Sequence, residues 1–420
     1  MSKHARDKRP YLRPVTRIEL SEENTRGRWI LLVVLLCVAV VALGLGIHYA
    51  TAVQPGWNEV QALCDEPNYS SEFCLVYDFS QTGDDAAAVN KALIQLYSEI
   101  MEEGYRIFSK DARLEGVLNL SYLNRHVNEV VTVEEPLYQA LEQIQTYENR
   151  CIFLAPVYVE YNRVFNSESE PEAMNYDPEQ NPEIMDYISQ LIRFVGNNEE
   201  ISLELLGQNQ VKLKVSEAYL EFAAEHGIEE FLDFGWMRNA FVADMLADAM
   251  QMAGFTSGYL ASFDGFTRNL DSRPISYAIS LFDRQDGYVY HPAEMSYQGP
   301  VSIVSLREYP MINQDRWNCY VYENGETVST HIDPATGRNE TAAENLLCYS
   351  REFGCAEVLM QMMPCYFAQE LLPEAFRDLK AQGTNTVWFS DFVLHYNDSQ
   401  IQFQMKPDTE GNFYTQHFSE

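Results

Sequence analysis

A chain of 420 residues with 46 % hydrophobic and 13 % aromatic side chains has enough apolar material to fill a core, which excludes an extended disordered tail as its overall state. Its formal charge of −33 is unevenly spread: the residues before 29 carry eight basic and four acidic side chains, a net of +4, which leaves −37 for the remainder. A body so acidic repels phosphate backbones, so nucleic acid is not an expected partner.

In chain order, the basic tail (1–28) leads into "WILLVVLLCVAVVALGLGI", Trp29 to Ile47, nineteen residues without a charge. That is about enough to cross a hydrocarbon core of roughly 30 Å and predicts a transmembrane helix over 29–48. Arg26 and Arg28 flank one side and Trp29 stands where an interfacial anchor belongs, so the positive-inside rule puts the tail in the cytoplasm and the body outside. A buried core helix does not need such uniformity. A cleaved signal peptide is the nearer rival, but the run is long for a signal core and no clear small-residue cleavage pattern follows. The expected location is the cell membrane, single-pass, with an extracytoplasmic C-terminal body.

Residues 49–82 mix turn formers with short apolar runs and read as a spacer. Beyond it, "DDAAAVNKALIQLYSEIMEEGYRIF" and "VEEPLYQALEQIQTYENR" space their apolar residues as amphipathic helices. The acidic stretch "NSESEPEAMNYDPEQNPEIMDY" carries three prolines and reads as an exposed insertion; "ISLELLGQNQVKLKV" alternates about a turn and reads as a hairpin. A helix over "RNAFVADMLADAMQMAG" should end at Gly254, with "SGYLASFDG" following as a strand. Strands dominate 275–333, a helix is expected over roughly 341–363, and "TNTVWFSDFVLHYN" closes as strand. The mixture predicts one α+β domain over 83–420.

Seven cysteines lie beyond the apolar span, an odd number that leaves at least one thiol free, and no CxxC spacing points to zinc. Cys64 and Cys74 are spaced to bridge a short loop in an oxidising compartment.

The segment "HIDPATG" (331–337) taken alone is a strand end followed by an Asp-Pro-x-x-Gly turn, in which Pro334 presets φ and Gly337 tolerates a positive one. It also resembles the His-Ile-Ile-Asp-Pro-x-Thr-Gly signature of the ApbE family, the FAD:protein FMN transferases, which are commonly membrane-anchored and extracytoplasmic. Upstream, "LDFGWMRNAFVADMLADAM" is similar to that family's Asp-Leu-Gly-Gly-Ile-Ala-Lys-Gly-Tyr-Ala-x-Asp, with Asp233, Gly235, Phe241 and Asp244 in step. "GYLASFDGFTRNL" retains Gly265 of a Gly-Gly-Asn, and "GYRIFSKDARLEGVLNLSYLNRH" places Asn124 and Arg125 on a Leu-Asn-Arg. The order agrees over roughly 84–404.

The resemblance implies an ApbE-like, T-fold-like domain that takes FAD as substrate with Mg²⁺ and passes FMN to a threonine hydroxyl of a client flavoprotein. It implies Asp233, Gly235, Asp244, Gly265, Asn124 and Thr336 around the flavin nucleotide. His331 would position or deprotonate the hydroxyl and Asp333 would orient it or fix the turn. The chain departs from the pattern at Trp236 and Asp264, where glycines are expected, and at Asn239-Ala240, where Lys-Gly is. The family's metal-binding Asp-Ala-Leu-Ser-Thr becomes "EVLMQ", which puts Glu357 and Gln361 at i, i+4 on one helix face, able to reach a hard cation together. A tryptophan where backbone meets pyrophosphate favours the other class, a catalytically inactive binding or accessory protein at the cell surface.

Overall fold

The structure, a computed structural model, describes residues 33–36, 39–40, 55–65, 67–82, 85–312, 315 and 317–419. The chain divides into two units, Met1–Val53 and Gln54–Glu420. In the first, the described residues 33–36 and 39–40 are helical; the basic tail and the rest of the expected 29–48 span lie outside the described residues. Among the described residues, no helix is long and apolar enough to cross a membrane.

The second unit is built on a nine-stranded sheet. Its spatial order is Trp57–Val60, Phe73–Asp78, Gly258–Ser262, Phe266–Asn269, Val301–Arg307, Asn345–Ser350, Asn385–Ser390, Val393–Tyr396 and Thr415–Phe418. Neighbours run antiparallel except the last pair, which is parallel. The helices Arg238–Met252 and Cys355–Tyr366 pack on its central strands, and the helix Ala86–Phe108 packs on Arg238–Met252. A three-stranded sheet, Ser276–Gln285, Tyr288–Gln298 and Gln402–Met405, shares a core with other strands of the large sheet. Leu281, Met295 and Tyr297 from the small sheet meet Ile303, Leu347, Tyr349, Val387 and Phe389 from the large one. The α+β class follows from this mixture of antiparallel strands with helices segregated onto them.

Several elements form as their patterns predict. The amphipathic stretches become Ala86–Phe108 and Glu135–Thr146, and the hairpin becomes Ile201–Gly207 with Gln210–Val215. Its turn residues Gln208 and Asn209 both take positive φ, the twist that a tight hairpin needs. The closing strand is itself a hairpin, Asn385–Ser390 with Val393–Tyr396.

Three expectations are corrected. The 49–82 spacer contributes two strands of the large sheet, Trp57–Val60 and Phe73–Asp78. The acidic insertion forms the helices Glu170–Tyr176 and Pro182–Val195, whose prolines stand in the first turn where no intrahelical N–H is needed. The helix expected over 341–363 is a buried strand, Asn345–Ser350, followed by the helix Cys355–Tyr366. All seven cysteines beyond the span are free thiols, Cys64 and Cys74 included.

Gly265 shows how closely the layers fit. It holds φ +109°, and a Cβ there would stand 2.1 Å from the carbonyl oxygen of Ser305 in the neighbouring strand. Gly265→Ala should therefore lower stability by about 3 kcal/mol or more, read as a shift of the urea midpoint, because both the backbone conformation and the strand spacing must change.

Candidate functional site

The strand Val301–Arg307 is followed directly by Glu308, whose carboxylate is buried. The hairpin Cys319–Val321 with Thr327–Ser329 returns the chain so that His331 arrives beside it, with Nδ1 2.8 Å from Glu308 Oε1. Ser329 donates to Oε2 at 2.5 Å and Asn339 donates to the same oxygen at 2.8 Å. Tyr366, at the C-terminal end of its helix, donates its hydroxyl to Oε1. Burial pushes the Glu308 carboxyl up, but the adjoining imidazole and these donors outweigh it and hold the group below its ordinary value. A carboxylate accepting from Nδ1–H keeps the imidazole proton on that nitrogen and leaves Nε2 free to take another.

The Trp236 indole meets the His331 imidazole edge to face, ring centroids 4.6 Å apart at 80°. His331, Trp236, Asp264 and Asn318 line a small cavity of about 40 Å³. The last three also line an adjoining cavity of about 450 Å³, walled by Tyr69, Phe108, Tyr158 and Tyr161. "HIDPATG" and the 233–244 segment are thus brought together. The charges lining the larger cavity are Glu72, Asp111, Asp233 and Asp264 against Lys110 and Arg238, an excess of two carboxylates. Arg238 is committed to Glu72 at 2.5 Å and lies 3.9 Å over the Tyr69 ring. Asn239, standing where the resemblance expects lysine, bridges Glu72 at 2.8 Å and Asp264 at 2.9 Å. Burial pushes the Asp264 carboxyl up to about 6.

The other expected site residues hold the architecture. Gly235 has φ +52° with the Tyr158 ring against its α-carbon, and its N–H donates to Asp233 Oδ1 at 2.8 Å, so that N–H is not offered to a phosphate. Asn124 is buried and binds the backbone of Phe231 and Leu232 at 2.9 to 3.1 Å. Asp244 accepts from the N–H groups of Cys355 and Ala356, both at 2.8 Å, and is paired with Arg268. Asp333 accepts from Ala335 N–H at 2.9 Å and Thr336 Oγ1 at 3.4 Å, closing its own turn, and burial pushes its carboxyl up. Neither Asp333 nor Thr336 makes a hydrogen bond to His331.

Glu357 and Gln361 do share a helix face, but their oxygens are taken. Glu357 accepts from Tyr147 at 2.5 Å and Gln143 at 3.2 Å, and Gln361 Oε1 accepts from Thr384 at 2.6 Å. Glu357 stands nine positions before Tyr366 on one helix, about 14 Å along the axis at 1.5 Å per residue. Among the described residues, no three His, Cys, Asp or Glu side chains converge as metal ligands. As arranged, this donor set does not fit Mg²⁺, which demands near-octahedral oxygen ligands.

Glu308, Tyr366 and Asn339 were not among the residues marked by sequence. A glutamate after an apolar strand is a common ending, and only the hairpin reveals that His331 comes back to it.

No protein-family model matches the chain, and no curated protein matches it. Solved structures do. The ApbE protein of Thermotoga maritima superposes with a TM-score of 0.56 at 12 % identity, over 83 % of this chain and 96 % of that one. A Pseudomonas stutzeri flavinyl transferase ApbE gives 0.49 at 11 %, over 84 % and 94 %. The Vibrio cholerae flavin transferase ApbE gives 0.46 at 14 %, over 79 % and 93 %. What this chain shares with the Thermotoga protein is the fold.

Proposed function

We propose that the chain is an ApbE-like flavin transferase, held at the membrane by residues 29–48 with its body outside the cell, that takes FAD and passes FMN to a threonine hydroxyl of a client flavoprotein. The observation that carries this reading is the buried Glu308–His331 pair, whose imidazole lines a small cavity that adjoins a larger aromatic one suited to a flat ring. The client oxygen attacks the phosphorus on the FMN side of the pyrophosphate, the bond to the AMP phosphate breaks, and AMP leaves. His331 Nε2 receives the hydroxyl proton while Glu308 stabilises the imidazolium. Tyr366, Ser329 and Asn339 keep Glu308 ionised and in place. No step is given to Mg²⁺, because the oxygens expected to hold it are taken by Tyr147 and Thr384.

A second reading, an inactive binding or accessory protein on the same fold, is favoured by the indole over His331, the committed Gly235 N–H and the excess of carboxylates facing the cavity.

Incubating the full-length protein with FAD and a threonine-bearing client, with and without Mg²⁺, and measuring AMP release separates the two. His331→Ala should retain FAD binding and slow release by about 10²–10⁴-fold, the usual worth of a general base. AMP release by wild type that is unchanged in His331→Ala contradicts the transferase reading. Trp236→Gly should tighten FAD binding, as seen by fluorescence titration, by removing the side chain that covers the imidazole.

The cavity charge gives a pH dependence. Asp264 is pushed up to about 6, so it sheds its charge as the pH falls from 7 to 5, and FAD, an anion, should bind more tightly over that window. Asp264→Asn should flatten the profile and raise affinity at pH 7.

A further inference from the structure

Among the described residues, the strand Cys319–Val321 of the short hairpin that carries His331 has a backbone partner strand on one edge only. Cys319 pairs with Ser329, Tyr320 with Val328 and Val321 with Thr327. Thr330 N–H donates to Asn318 at 3.0 Å and Tyr322 N–H to Glu326 at 2.9 Å, so the even-numbered residues turn their backbone groups toward the partner strand. Those of Cys319 and Val321 point the other way, and among the described residues no backbone partner meets them. Such an edge is a template for another strand.

An open groove of about 1020 Å³ runs beside it. Cys319, Tyr320 and Val321 all line the groove, although successive strand residues project to opposite faces. A groove touched by all three follows the backbone edge. Ile312, Trp317 and Val321 line it with exposed apolar side chains, beside Phe165 and Pro310. The two ends differ in chemistry. At the Cys319 end, that residue also lines the small cavity of His331. At the other, Glu168 lies on the groove and the Glu323 N–H is bonded to Glu170 at 2.5 Å, an acidic end.

We propose that this edge takes up an extended segment of the client by strand addition, which brings the client's hydroxyl to His331. The inference rests on the transferase reading. The occupant is an apolar strand with its hydroxyl-bearing residue at the Cys319 end and a lysine or arginine about four residues away, since four strand residues at about 3.3 Å span the edge to Glu323. Main-chain bonds supply the hold, and the acidic end sets the direction.

Val321→Pro tests it directly. Proline removes the outward N–H while leaving the hairpin's own bonds, and Val321→Thr keeps the N–H as the control. The probe is a fluorescent ten-residue peptide of alternating Val and Ser with one Thr and a Lys four positions away, titrated by anisotropy into the full-length protein in detergent. Expected is at least about tenfold weaker binding by Val321→Pro, a change within about twofold for Val321→Thr, and a similar tenfold loss when the peptide's pairing amides are N-methylated or its Lys becomes Glu. Wild-type affinity in Val321→Pro, equal binding of the Lys and Glu peptides, or no binding by wild type overturns the proposal. AMP release from FAD with an intact client reports separately on the transferase reading: release with no peptide binding removes the docking edge alone, whereas edge-dependent peptide binding without release removes the transferase.

Discussion

The buried carboxylate of Glu308 ties together four segments that are remote in sequence: the end of a central strand, the end of the short hairpin, the turn at Asn339 and the last turn of the helix Cys355–Tyr366. An isolated carboxylate in such a place is costly, and it is tolerated only because each oxygen receives donors with good geometry. The dependence runs in both directions. His331 has its ring fixed by Glu308, and Glu308 keeps its charge because of His331. Loss of one partner of such a pair costs about 3–5 kcal/mol, as it leaves the other buried and uncompensated.

The same helix is pinned at its other end. Asp244 reaches across from the helix Arg238–Met252 to accept from the first N–H groups of Cys355–Tyr366, which a helix start otherwise leaves without partners. Gly354 makes room for it, since a Cβ there would stand 2.4 Å from the Asp244 carboxylate. One acidic side chain therefore sets where the helix begins, and Tyr366 at its end reaches the site. Asn124 does a similar service for Phe231 and Leu232, just ahead of the Asp233–Gly235 turn. Asp244 and Asn124, which look like ligands by their motif, act as fasteners, and the site is shaped through them.

Much of the architecture was legible. Ala86–Phe108 shows its periodicity because one face is exposed, and the hairpin at Gln208–Asn209 shows because its strands alternate. What failed was segments without such contrast. Asn345–Ser350 is apolar and almost wholly buried, and Cys355–Tyr366 is buried on most sides, so nothing in the pattern separates strand from helix between them. Trp57–Val60 is too short to register at all. At the site, His331 stood out by its motif; Glu308 did not, because its significance lies in a contact spanning 23 residues. Glu357 and Gln361 were rightly expected on one face, but the neighbours that occupy their oxygens, Tyr147 and Thr384, lie far away in sequence.

The strand order also bears on how the chain reaches this state. Phe73–Asp78 pairs on one side with Trp57–Val60 and on the other with Gly258–Ser262, so its second neighbour is synthesised about 180 residues later. At roughly 5–20 residues per second, that edge stays open for about ten to forty seconds as the chain emerges. Pairings so distant make assembly slow and leave an early two-stranded ribbon open to wrong partners. The helix Ala86–Phe108 reaches this ribbon early, with the Tyr97 hydroxyl donating to Phe73 O at 3.3 Å, but the helix that it packs against, Arg238–Met252, is nearly as late to appear as the missing strand. A nascent chain of this topology is therefore a natural client for a holding chaperone until residue 262 has been made.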